Sequence, residues 1–393
     1  MAGSPSKWDS GDEKRKNNHV PETRASLISI KRLYVLLLAA APLLLPYSCT
    51  KDPIREEKKK PVDTTHVQTY KRGIFIINEG NFNWGNASVT YIDSTGNTVI
   101  QDIFSRANSR NLGDVAQSMT ISGSLGYLVI NNSNRIEVVN LDDFKVVKTI
   151  TGLQSPRYLH VIDSGKAYAT NLQNSITILD LATNSVKGTI KAGGWTENMI
   201  PYGNYVLVTS IGKFSEPSQL RKAQLFVIDT RTDAIIDSIE SGKEPIGLVI
   251  DKKQKVWVLC SGGYDNYEPA TLMRVNPELR IVEKTFTFPN PDNPPSRLCI
   301  NPGGDTLYFL RGGVYQMPVT AADLPAEPLI PAAGRNLYGL SIHPVTGRIY
   351  VSDVKDYVRD GAAFQYTVTG EMVKEYPTGR IPGSFCFSQT AAR

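Results

Sequence analysis

The sequence predicts an all-β fold, and three observations carry that expectation. Strand-forming residues are frequent, with 18 Tyr among many Val, Ile and Thr, and 31 Gly and 24 Pro supply turn punctuation. No long amphipathic helical pattern follows residue 70. From Gly73 onward one strand pattern recurs about every 40 to 50 residues, the period of four-stranded propeller blades. Together these specify a seven-bladed β-propeller of four-stranded antiparallel blades over residues 72–389.

Ahead of the repeats lies a targeting segment. Lys31-Arg32 precede an apolar run from Leu33 to Leu45, followed by Pro46-Tyr47-Ser48-Cys49. A basic n-region, a short apolar stretch and a small residue before the cut describe a secretory signal over 1–48, too short to span a bilayer. Ser48-Cys49 resembles the lipobox of bacterial lipoproteins, with Pro46 and Tyr47 in place of the usual aliphatic and small residues. The resemblance implies that Cys49 is lipidated and becomes the new N-terminus. Residues 49–71 are charged and lack apolar periodicity, as expected of a solvated tether. Lys51-Asp52 resembles the surface-export signal of Bacteroidetes lipoproteins.

The net charge of +5 is inflated by the leader; the rest of the chain has 36 basic and 34 acidic residues. Such balance is not a nucleic-acid footprint. Once Cys49 is set aside, Cys260, Cys299 and Cys386 remain, an odd number that cannot complete a disulfide framework. Each lies in or beside an apolar strand-like run and reads as a small buried hydrophobe.

Within the repeat, a first strand often opens with Pro. A Gly/Asp turn, an apolar second strand, a third strand ending in Asp or Asn and an alternating fourth strand follow. First strands are expected near Ala116–Ile121, Pro156–Ile162, Asn198–Tyr202, Pro245–Ile250, Ser296–Ile300, Tyr338–Ile342 and Pro382–Phe387. The last has no partners after it. Meanwhile Ile74–Asn78, Ser88–Asp93 and Thr98–Ile103 form three strands with no first strand before them. Closure of the ring by the C-terminal strand completes the first blade and removes both exposed edges.

Ala167-Tyr168-Ala169-Thr170-Asn171, followed by Ile178-Leu179-Asp180, resembles the YVTN or YncE-like propeller family, with echoes at Leu128–Asn132 and Tyr350–Asp353. The segments Gly73–Phe82, Gly113–Ser118 and Ser155–Tyr158 resemble surface propeller lipoproteins of gut Bacteroidetes. Some members of that wider group capture vitamin B12 and pass it to an outer-membrane transporter. The resemblance implies a ligand-capturing lipoprotein on the outer-membrane surface, touching the membrane through its lipid only. It does not specify the ligand, since one scaffold hosts unrelated activities.

One propeller face collects the loops from second to third strands and from blade to blade, and here those loops are irregular. They carry Asn81, Phe82 and Trp84 in blade one, Phe214 in blade four, Tyr264 and Tyr267 in blade five and Tyr357 in blade seven. Arg157 and Arg297, near first-strand starts, are expected at the central channel, either contacting ligand or in salt bridges. Trp195 and Tyr338 complete the candidate set. Aromatics offer area at low rotamer cost, and amides and Arg orient polar groups. Their alternative role is to pack their own loops. A corrinoid delivered to a TonB-dependent transporter is the first ligand expectation. A surface protein recognising glycan or protein is the second, and a lyase using His160 or His343 the third. The four His (19, 66, 160 and 343) show no HxH or HExxH spacing and no CxxC is present, so neither a metal site nor a catalytic set is expected. No cofactor is expected either.

Overall fold

In a computed structural model, residues 69–213, 221–263 and 268–388 are described. The signal segment, Cys49 and most of the tether lie outside them, as do Phe214, Tyr264 and Tyr267. The chain forms seven four-stranded antiparallel sheets, six of them meanders of consecutive strands. The innermost strands are Ala116–Ser122, Pro156–Val161, Trp195–Tyr202, Pro245–Ile250, Ser296–Ile300, Leu337–Ile342 and Pro382–Ser388. These match the expected first strands to within a residue or two, apart from the fourth blade, whose strand starts at Trp195 rather than Asn198.

Closure occurs as the sequence implies. Pro382–Ser388 pairs antiparallel with Gly73–Asn78, so the last strand of the chain is the innermost strand of the first blade. It also lies against the innermost strands of blades two and seven, which completes the ring.

The core is divided among the gaps between blades. Seven apolar clusters each join two neighbouring sheets. Gly73–Asn78 shows why: every residue is buried. Phe75 and Ile77 face blade two beside Leu128 and Phe144, while Ile74 and Ile76 face blade seven beside Tyr350 and Tyr376. A period-two strand with both faces covered reads as continuous apolar sequence. Outermost strands instead alternate, as in Ile281–Thr287, because one face meets water.

The residues that carry the family resemblance are structural. Tyr127 and Tyr168, both in second strands, reach from one blade into the third-to-fourth turn of the next. Tyr127 donates to Asn184 Oδ1 (2.8 Å), and Tyr168 donates to Asp233, which also pairs with Lys166 (2.8 Å). The amides at the second-strand ends are buried: Asn78 and Asn171 donate to Thr90 and Thr177 of the third strand, and Asn131 to the Pro156 carbonyl of the next blade.

Blade one departs from expectation at its outer edge. The strand expected over Thr98–Ile103 shrinks to Val99–Ile100 and a six-residue helix, Ile103–Asn108, follows. Asp102 caps it, accepting from Ser105 Oγ (2.9 Å), and Ile103 and Phe104 are fully buried. Burial of that apolar pair overrides a further strand turn. Tyr70 and Lys71, expected at the tether's end, already touch the propeller: Tyr70 packs edge-on against Tyr91 (4.9 Å) and Phe144 (5.4 Å).

Among the described residues Cys260, Cys299 and Cys386 are unpaired. Burial pushes their thiols up to about 12, so they act as small apolar groups rather than nucleophiles.

Candidate functional site

Each innermost strand breaks register with its neighbour near the same end, where the elaborated loops lie. The break falls at Gln117 in blade two, Arg157-Tyr158 in blade three, Glu197-Asn198 in blade four, Ile246 in blade five, Arg297-Leu298 in blade six and Tyr338-Gly339 in blade seven. In blade one it falls at Gly383 of the closing strand. A bulge re-aims a side chain out of the regular alternation. Repeated around the ring, it collects one position per blade at the channel mouth.

Polar side chains from several of those positions form two hydrogen-bonded groups, near enough to influence one another electrostatically. Arg157 Nε donates to Glu197 Oε2 (2.9 Å) and its terminal nitrogen donates to Gln117, whose amide lies 3.3 Å from the Tyr158 hydroxyl. Across the mouth, Arg297 Nε donates to the Tyr338 carbonyl (3.1 Å) and its guanidinium stands 4.9 Å from the Tyr338 ring centroid. Arg297 also pairs with Glu79 (3.6 Å), and the Tyr338 hydroxyl donates to Glu79 Oε2 (3.1 Å). Glu79 enters from the loop after the second strand of blade one. It passes over Gly383, where a Cβ would stand 2.1 Å from Glu79 Oε1. The missing side chain at this bulge position is what admits Glu79.

Two cations and two carboxylates make the cluster formally neutral. Burial raises the Glu79 carboxyl above its usual range, partly offset by Arg297 and the Tyr338 hydrogen bond. Burial opposes the Arg157 charge, but Glu197 outweighs it and Arg157 stays firmly cationic. Burial, and then the neighbouring Glu79 charge, raise the Tyr338 hydroxyl, keeping it a donor.

Around this mouth stand exposed aromatics. Trp84 is 73% exposed, Phe82 65% and Tyr357 43%. Asn81 holds their loops together: its Nδ2 donates to the Tyr357 carbonyl (2.6 Å), and its backbone N–H donates to Asn86 Oδ1 (2.7 Å). The Tyr357 ring meets the Tyr338 ring edge-on at 6.0 Å, linking rim to channel. Asn83 is pinned by Asp114 and Asn132 (2.8 and 3.0 Å). Phe82 and Trp84 thus stand out from a loop held by these hydrogen bonds.

The structure thus joins Asn81, Phe82, Trp84, Arg157, Arg297, Tyr338 and Tyr357 into one face. Trp195, half-buried at the first residue of its strand, lies two residues from Glu197 and pairs with Gly212. Sequence reasoning missed Gln117, Glu197 and Glu79. The signal was available for two of them, since both occupy the position two residues into a first strand that Arg157 and Arg297 share, or one adjacent to it. His160 and His343 stand apart from the cluster. Among the described residues no group of three metal-ligating side chains occurs.

A domain of unknown function, DUF5074, matches residues 72–380. The chain belongs to the DUF5074 family. The seven-bladed β-propeller protein Rv1057 of Mycobacterium tuberculosis is 27% identical over 141 residues, about a third (34%) of each chain. A quinonprotein alcohol dehydrogenase-like protein from Bacteroides thetaiotaomicron superposes with a TM-score of 0.61 at 16% identity, covering 82% of this chain and 79% of its own. Apo AztD from Citrobacter koseri superposes at 0.51 with 14% identity, covering 80% and 96%. At such identities these neighbours share the propeller with the DUF5074 chain and nothing finer.

Proposed function

We propose that this DUF5074 propeller is a binding protein rather than an enzyme, capturing a large amphipathic ligand on its loop-rich face. The observation that carries the reading is the pairing of exposed Phe82, Trp84 and Tyr357 with a recessed, charge-balanced Arg/Glu cluster. Large aromatic area outside and oriented polar groups inside suit a ligand with flat apolar surface and polar periphery. A corrinoid is the first candidate. Delivery to a TonB-dependent outer-membrane transporter, from a surface anchor at lipidated Cys49, is part of the same reading and rests on Ser48-Cys49 and the basic-apolar segment before it.

Calorimetric titration of the purified protein with cyanocobalamin tests it. Saturable heat is expected, with Trp84→Ala weakening binding tenfold or more, about 1.4 kcal/mol. The unliganded variant should melt as the parent does, because Trp84 is exposed. No heat with cyanocobalamin, at a protein concentration where the fold is intact, removes the corrinoid.

A groove of about 550 Å³ between blades one and seven favours a second reading, a glycan ligand. Asn86, Gln101, Lys355 and Asp360 line it with amide and charged groups suited to hydroxyl pairs. Binding of oligosaccharide with cyanocobalamin silent would select this alternative.

A further inference from the structure

On the opposite face a smaller cavity, about 170 Å³, lies where blade seven meets blade one. Its walls come from the first-to-second strand turn of blade seven (His343, Thr346, Arg348), from Tyr350, Gln365 and Tyr376, and from the Asp93–Gly96 turn. The geometry points to an oxyanion-binding pocket here, with Arg348, His343 and Tyr350 as its donors, for a phosphate or carboxylate group.

Three features converge. His343 Nδ1 accepts from the backbone N–H groups of Val345 and Thr346, both at 3.2 Å. A neutral imidazole so engaged carries its proton on Nε2, and the ring is fixed against Phe387 at 4.9 Å. Gln365 lies on the same wall, and its carbonyl accepts from the Tyr376 hydroxyl (2.9 Å). The Tyr350 hydroxyl lines the cavity and donates to no described residue, so its O–H is left to give. The guanidinium of Arg348 makes no hydrogen bond or ion pair with any described side chain, although it lines the same cavity. A fork of charged donors without an acceptor beside two neutral donors is the complement of a carboxylate or phosphate.

The other charges nearby do not fill the role. Asp93 stays ionised on the cavity wall but forms no ion pair with Arg348; its Oδ1 accepts from Thr95 Oγ1 (3.0 Å) and the N–H groups of Asn97 (2.9 Å) and Thr98 (3.2 Å). Lys374 Nζ donates to the Gly96 carbonyl (2.6 Å) and adds a second cation close by. Burial, followed by Arg348, holds the His343 imidazole below its usual range, so an anion between Arg348 and His343 must raise it.

The experiment follows the four His Cε1–H resonances of the full chain by NMR across pH, at fixed ionic strength, in chloride, inorganic phosphate or acetate. In phosphate or acetate the His343 midpoint is expected to rise by about one pH unit relative to chloride. His160, in a blade away from this cavity, should not move. Arg348→Gln, at an exposed position, should abolish the rise while leaving the chloride spectrum dispersed. A response to phosphate alone selects a phosphorylated ligand and a response to acetate a carboxylate. An unchanged His343 midpoint in both anions overturns the pocket. So does a rise that survives Arg348→Gln, or one that His160 shares. Because the cavity lies on the face opposite the aromatic rim, neither result bears on corrinoid capture.

Discussion

Glu137 shows how much one buried carboxylate can hold. Its side chain is 1% exposed and accepts from Arg110 (2.8 and 3.0 Å), Arg135 (2.7 Å) and Thr149 (2.7 Å). Burial works against its charge, but the Arg110 and Thr149 hydrogen bonds outweigh that and hold its carboxyl below the usual range. Its stabilising contribution is therefore present above the unfolded value, about 4.3, and lost as pH falls through the folded one. Glu137→Ala leaves two partly exposed guanidinium groups short of a partner and is expected to cost about 1–3 kcal/mol, read by denaturant titration. Glu79 carries the opposite sign. Its folded pKa is raised, so stability falls as pH rises through it, and Glu79→Gln should flatten that part of the profile. Gly383→Ala drives a Cβ into Glu79 and should cost about 1–3 kcal/mol. In a double-mutant cycle Glu79→Ala should remove part of that cost, since the obstructed carboxylate is then gone. Additive losses would mean that the two residues do not meet.

At the scale of the strand, the same sequence position does two jobs. In blades two and three the second strand is buried on both faces, and its Tyr reaches across to the neighbouring turn at Asn184 or Asp233. Tyr168→Phe keeps the buried ring and loses a hydrogen bond to a charged acceptor. A loss of about 1.5–3 kcal/mol is expected in chemical denaturation, whereas a change near zero would leave Lys166 holding Asp233 alone. The first strands were legible because Pro and the apolar run after it mark them. Their bulges were not legible, because register depends on the partner strand and no local pattern encodes it. That is why Arg157 and Arg297 were placed at the channel from sequence while Glu79, which reaches Arg297 from a loop of another blade, was not. The short helix Ile103–Asn108 escaped for a related reason: its apolar pair looks like strand until the gap beneath blade one decides where it packs.

Over the whole molecule, seven sheets are held by seven interfaces, and two of those use a strand from the far end of the chain. Truncation before Pro382 removes the inner strand of blade one together with Phe385 and Phe387, which pack on Tyr350 at 6.0 and 5.4 Å. Loss of the cooperative thermal transition is expected. A circular permutant that joins Pro382–Ser388 directly ahead of Gly73 should restore it, since the pairing is antiparallel and needs only a short turn. If truncation leaves melting unchanged, closure contributes nothing.

By itself the sequence determined the all-β class, the blade period, the number of blades and the complementarity of the two ends. These follow from local alternation and turn chemistry repeated along the chain, which linear order preserves. Only the tertiary structure decided which side chains meet at the channel mouth, how Gly383 admits Glu79, and that Arg348, His343 and Tyr350 converge on one cavity. Those contacts join residues up to hundreds of positions apart, and their geometry is set by how the blades turn about a common axis, a quantity carried by no single segment.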